Sequence, residues 1–246
     1  MIYRRAEGLC SLYKRISRWL YTHFAIVLCC LPLAACISFA SDKGGVTGVQ
    51  QPAAASLTYV ALGASDTFGI GTDDPQSQNW ASDLATMLGK RVHLINLGIP
   101  DIHLHSALGV ELPVALDSHP GLVTVWLAVN DLADNVPLAS YSHDLHLLLT
   151  RLQVANPHLR IAVANVPDLT LLPHFQSYDL EALRARILAY NDAIASAVSA
   201  HHVLLVDLYH NDLAPEYISS DGFHPNALGY TRVAEIFYQV LKTKTP

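Results

Sequence analysis

Cysteine is missing from most of this chain. The four cysteines are Cys10, Cys29, Cys30 and Cys36, and residues 37–246 contain none. That stretch can therefore form no disulfide, no thiolate zinc site and no cysteine nucleophile. Basic charge is scarce there too. The first 35 residues hold five of the 15 Lys and Arg but one of the 21 Asp and Glu, which leaves ten basic residues against 20 acidic ones in the rest. A body this acidic argues against nucleic acid as a partner. A membrane-spanning run is missing as well. The apolar stretch Phe24–Cys36 falls short of the roughly 20 residues a spanning helix needs, and Pro32 interrupts it. Disorder is excluded by an apolar content of 51% with only 13 Gly and 13 Pro. The length of 246 residues suits one α/β domain with a buried core.

The N-terminal segment reads as an address. Arg4, Arg5, Lys14, Arg15 and Arg18 precede the short apolar core, and small residues follow it, which is the pattern of a secretory signal. Leu33-Ala34-Ala35-Cys36 resembles the lipobox of bacterial lipoproteins. That resemblance implies cleavage after Ala35, a signal peptide over 1–35 and lipid on Cys36. The alternative is an uncleaved anchor from Phe24 to about Ala40. Either reading implies an exported, membrane-attached protein. Residues 36–56, with Gly44, Gly45, Gly48, Gln50, Gln51 and Pro52, read as a flexible tether.

From Leu57 onward, apolar β-branched runs alternate with helical periodicity. Strands are expected at 57–62, 92–97, 122–129, 161–164 and 203–206. Helices are expected at 76–88, 102–116, 138–155, 179–200 and 226–242. Continuous apolar strands are what a parallel sheet covered on both faces requires. The expected fold is a three-layer α/β/α sandwich with five parallel strands, occupying 57–246. Ligands of such sheets bind beyond the carboxyl ends of the strands.

Four groups of chemically capable residues fall at those ends. Gly63-Ala64-Ser65-Asp66-Thr67 follows strand one, where a tight strand-to-helix turn would expose a nucleophilic hydroxyl and aim the serine N–H at a developing oxyanion. Ser65 could equally cap a helix. Asp221-Gly222-Phe223-His224-Pro225 precedes the last helix. A serine needs a base, and the base needs a carboxylate to fix its tautomer. The same residues could be an Asp-Gly turn with a surface histidine. Asn96-Leu97-Gly98 and Ala128-Val129-Asn130-Asp131 follow strands two and three, with a glycine N–H and an asparagine amide as candidate oxyanion donors. The alternatives there are a turn glycine and a loop asparagine.

Taken together and in order, these groups resemble the SGNH (GDSL-like) hydrolases, over about residues 57–242. The resemblance implies a flavodoxin-like sandwich and a triad of Ser65, Asp221 and His224. It also implies an oxyanion hole from Ser65, Gly98 and Asn130, and hydrolysis of carboxylic esters through an acyl-enzyme, with no cofactor. The substrates it allows are small-molecule, carbohydrate or lipid esters. Two positions depart from the family pattern: Ala64 replaces an aspartate, whose bonding Asp66 could take over, and Ala128 replaces a glycine, where a methyl could crowd the acyl pocket or shift Asn130. The loops read as short and without a lid, which favours an open site and short acyl groups. The rival reading is a non-catalytic binding lipoprotein that retains the fold.

Other residues invite a functional reading less well. His103 and His105 show no carboxylate partner, and His201 and His202 close a helix where cations suit the dipole. Neither pair has a third ligand at a recognisable spacing, so no metal is expected. Gly69 and Gly71 suggest a mobile loop beside Ser65, with no lysine to make a phosphate cradle. Trp80 and Trp126 read as core.

Overall fold

The computed structural model describes residues 57–211 and 214–243. The signal segment, Cys36 and the tether lie outside the described residues. Among the described residues no helix is long and apolar enough to cross a membrane.

Five strands form one parallel sheet in the order β2-β1-β3-β4-β5, with β1 at Leu57–Gly63, β2 at Val92–Asn96, β3 at Leu122–Trp126, β4 at Arg160–Ala164 and β5 at Leu204–Val206. The helices are α1 (Ser65–Phe68), α2 (Trp80–Leu88), α3 (Leu104–Asp117), α4 (Val129–Ala133), α5 (Leu138–Ala155), α6 (Leu180–Ala200) and α7 (Ala227–Thr243). Alternate strand residues face opposite ways. Val60, Leu62, Val123 and Val125 pack against α3, α5 and α6, while Tyr59, Ala61, Leu122 and Trp126 pack against α2 and α7. This is the expected three-layer sandwich. On the second face Trp80 stacks on Phe237 with ring centroids 4.4 Å apart. On the first, Leu145, Leu148, Leu149 and Leu152 of α5 are fully buried, and truncating any one to Ala costs roughly 2–5 kcal/mol.

Three boundaries moved for identifiable reasons. Helix α2 starts at Trp80, later than expected, because Asn79 caps it by accepting the Ser82 N–H at 2.9 Å. Strand β3 stops at Trp126. The next carbonyl, that of Leu127, accepts a hydrogen bond from the Tyr141 hydroxyl at 2.8 Å, and Val129–Ala133 coil into α4. The connection from β4 to α6 spans residues 165–179 and is not the short loop expected. It carries 3₁₀ turns at Leu169–Leu171 and Pro173–Phe175, nucleated by Asp168 accepting the Thr170 N–H and by Pro173 at the first position of the second turn.

The register positions the site. Ala61 pairs with Asn96, and Gly63 pairs with Trp126. The turns after β1, β2 and β3 therefore emerge side by side at one edge of the sheet.

Candidate active site

Ser65 stands at the first position of the four-residue helix α1, directly beyond β1. The turn is tight. A Cβ on Gly63 would lie 1.8 Å from Thr67 Oγ1, so only glycine permits it. As a first-turn residue, Ser65 has an N–H with no partner inside its own helix.

His224 reaches this serine from 159 residues away along the chain, with Nε2 2.9 Å from Ser65 Oγ. Its Nδ1 lies 2.7 Å from Asp221 Oδ2. The other carboxylate oxygen of Asp221 gathers the Phe223 N–H at 2.8 Å, the His224 N–H at 2.9 Å and the Ser219 hydroxyl at 2.8 Å. Burial works to raise the Asp221 pKa, but the bonds from His224, Phe223 and Ser219 outweigh it and hold the carboxyl down at about 2. The aspartate therefore stays ionised and, as an acceptor, orients the imidazole with Nδ1 toward itself and Nε2 toward Ser65. Gly222 (φ +73°) permits the turn, and Gly71 (φ +99°) lets the loop after α1 pass where a Cβ would sit 3.1 Å from His224 Cβ. The loop expected to be mobile thus packs against His224.

Asn130, in α4, donates one amide hydrogen to the Ile102 carbonyl at 3.0 Å, which orients the group and leaves its second hydrogen available. Gly98 lies against the nucleophile turn. A Cβ there would meet Phe68 N at 2.4 Å and the Thr67 carbonyl carbon at 2.7 Å. Its N–H, expected to be open, donates to Asn96 Oδ1 at 2.9 Å, while Asn96 Nδ2 donates to the Thr67 carbonyl at 2.7 Å. Asn96 thus ties the end of β2 to the Ser65 turn.

Two hollows share Phe223, the neighbour of His224, as a border. A groove runs from Asn130 past Leu132, His174, Phe175, Tyr178 and Arg186. A cleft is bordered by Asp66, Trp126, Leu172 and Tyr209.

Residues 61–232 match the GDSL-like lipase/acylhydrolase family. The chain belongs to that family. No curated protein matches it. A family 3 carbohydrate esterase from Clostridium thermocellum shares the fold at 19% identity with a TM-score of 0.61, over 76% of this chain and 96% of that one. A lipase/acylhydrolase from Enterococcus faecalis does so at 20% identity and 0.62, over 77% and 100%. A psychrotrophic esterase from Pseudoalteromonas does so at 18% identity and 0.61, over 76% and 97%.

As a GDSL-like hydrolase the chain departs from expectation in several places. Asp66 does not take over the bonding of an aspartate at position 64. It is 9% exposed and accepts a hydrogen bond only from its own N–H among the described residues. Burial pushes its carboxyl up to about 6, against the pull of His224 and with the push of Asp221. Ala128 borders neither hollow; its methyl is buried in the core beside Leu127 and Val129. Trp80 is core as expected, whereas Trp126 is core on one side and cleft wall on the other. His103 and His105 do have carboxylate partners, Asp134 at 2.8 Å and Asp144 at 3.0 Å. His201 is bonded to His146 and Gln153, and burial together with its histidine neighbours lowers its pKa, which disfavours a helix-capping cation.

Sequence reasoning missed Glu111. Its Oε2 accepts the Gly63 N–H at 3.1 Å, two residues before Ser65, and its Oε1 is buried without a partner. A signal was present: Glu111 shares the buried stripe of Leu104, Leu108 and Ala115, where a carboxylate is out of place.

Proposed function

We propose that this GDSL-like hydrolase is a serine esterase that cleaves carboxylic esters through an acyl-enzyme. The observation that carries the reading is the continuous hydrogen-bonded line from Ser65 Oγ through His224 to Asp221, at 2.9 and 2.7 Å. Ser65 Oγ attacks the carbonyl carbon while His224 Nε2 takes its proton. The bond to the alcohol oxygen breaks, and His224 returns the proton to the departing alcohol. Water, deprotonated by His224, then attacks the acyl-enzyme, the acid leaves, and Ser65 recovers its proton. Asp221 holds the imidazole and stabilises its cation. The Ser65 N–H and the second amide hydrogen of Asn130 hold the oxyanion. The Gly98 N–H joins them when it is shared between Asn96 and the substrate.

The groove that starts at Asn130 receives the acyl group. The 165–179 segment walls it with Phe175 and Tyr178, which limits its depth and favours short acyl chains. We propose further that residues 1–35 are a lipoprotein-type signal, that Cys36 carries the lipid, and that 36–56 tether the 57–246 hydrolase domain to the membrane. The test of the reaction is a panel of p-nitrophenyl esters of increasing chain length. Short esters turn over, and Ser65→Ala loses about 10⁴-fold or more in kcat. An unchanged rate in that variant removes Ser65 as nucleophile, and a lack of turnover on every ester favours the binding-protein reading.

A further inference from the structure

The cleft beside the triad has no part in the steps above. It is nevertheless bordered by the chain neighbours of the site residues: Asp66 follows Ser65, Val129 precedes Asn130, and Phe223 and Pro225 flank His224. The residues around it are mostly apolar, and Trp126, Tyr209 and Phe223 are among them. Two carboxylates reach it. Asp168 is already satisfied, by the Thr170 N–H at 3.0 Å, the Thr170 hydroxyl, and Arg184 at 3.8 Å. Asp66 is not. It forms no ion pair among the described residues and accepts no hydrogen bond from any other one of them.

A buried carboxylate without a counter-charge is costly, and a ligand that supplies the missing charge offsets that cost. Anions are repelled, and a neutral alkyl group leaves the carboxylate as it was. Aromatic faces beside a carboxylate are the combination that holds an ammonium ion, above all a weakly hydrated quaternary one. We propose that this cleft binds an organic ammonium group carried on the alcohol half of the ester, with Asp66 as its counter-charge. The proposal rests on the esterase reading for its chemistry, since the acyl half occupies the groove on the other side of Phe223. The cation site itself can be measured without turnover.

Acetylcholine and 3,3-dimethylbutyl acetate have the same shape and differ in a charged nitrogen against a neutral carbon. The full chain is assayed with both at pH 8, where Asp66 is ionised. The expected ratio of kcat/KM favours acetylcholine by about tenfold or more, and Asp66→Asn brings the ratio close to one. Taking the ratio removes any change the variant makes to the triad. Choline, which carries no ester, is titrated in parallel by tryptophan fluorescence. It should bind the wild type about tenfold or more tightly than Asp66→Asn. A wild-type ratio of one or below, a ratio unaffected by Asp66→Asn, or no binding of choline to the wild type overturns the proposal. The first and last of these need no variant to fold. If neither of these esters nor any p-nitrophenyl ester is cleaved while choline binds through Asp66, the esterase reading fails and the cation site stands.

Discussion

Glu111 places a proton in the middle of the fold. It is 1% exposed, and burial, opposed only by the Gly63 N–H, pushes its carboxyl from the ordinary 4.5 up to about 8. In the unfolded chain the group ionises at the ordinary value. Between the two values the folded chain binds one more proton than the unfolded chain, so stability falls as pH rises, by about 1.4 kcal/mol per pH unit, and levels off above about 8. The whole gap corresponds to roughly 5 kcal/mol, of which about 2 kcal/mol falls between pH 6 and 8, because the group is already half ionised at the upper limit. Asp66, displaced to about 6, acts in the same direction but below this window. Glu111→Gln keeps the carbonyl that accepts the Gly63 N–H and removes the titration. Its amide nitrogen replaces an oxygen that already lacks a partner, so at pH 6 the exchange costs about 1 kcal/mol. Urea denaturation at pH 6, 7 and 8 should therefore give crossing curves. The wild type loses about 2 kcal/mol more than the variant across the window, and the variant is the more stable by about 1 kcal/mol at pH 8. Parallel curves for the two proteins would refute the assignment of a buried neutral carboxyl at the end of β1.

Asn130→Ala should lower kcat by roughly 10²-fold or more with KM little changed, since its amide acts on the transition state; a change confined to KM would assign the residue to substrate binding. Gly98→Ala drives a methyl to 2.4 Å from Phe68 N and so must displace the nucleophile turn. It should cost about 1–3 kcal/mol in urea denaturation and reduce kcat, and a variant matching the wild type in both would show that the contact yields freely. In a bacterium supplied with labelled fatty acid, the full chain should take up label and Cys36→Ser should accumulate as unlabelled precursor. An unlabelled wild type with an intact N-terminus would replace the lipoprotein reading by the uncleaved anchor.

The candidate triad could be read from the sequence because its signals are local. Asp221 and His224 sit three residues apart on one turn, and Ser65 follows a strand whose apolar run ends in Gly63. Strand and helix order was legible for the same reason, since burial on both faces of the sheet writes itself as unbroken apolar runs. What stayed hidden depends on contacts between distant segments. The Gly63–Glu111 bond crosses 48 residues, and the partners of His103 and His105 lie 31 and 39 residues away. Asn96 stands in the motif that pointed to Gly98, and its bond to the glycine N–H is local, but its tie to the Thr67 carbonyl crosses 29 residues. The 3₁₀ turns of 165–179 have no periodicity to announce them, because each is too short to repeat.

Ser65 lies just inside the folded domain and His224 just before its last helix, and a single hydrogen bond joins them across 159 residues. In the proposed mechanism neither half has activity by itself. A chain emerging from the ribosome makes its nucleophile early and then carries it, inert, until nearly all the rest has been made. The base arrives only with the loop that precedes α7, and it points at Ser65 only once that loop has packed against Gly71. Ester cleavage is therefore a readout of completed folding: a truncated or half-assembled molecule is silent, and recovery of activity after denaturation reports closure of the whole domain and not the return of any one element.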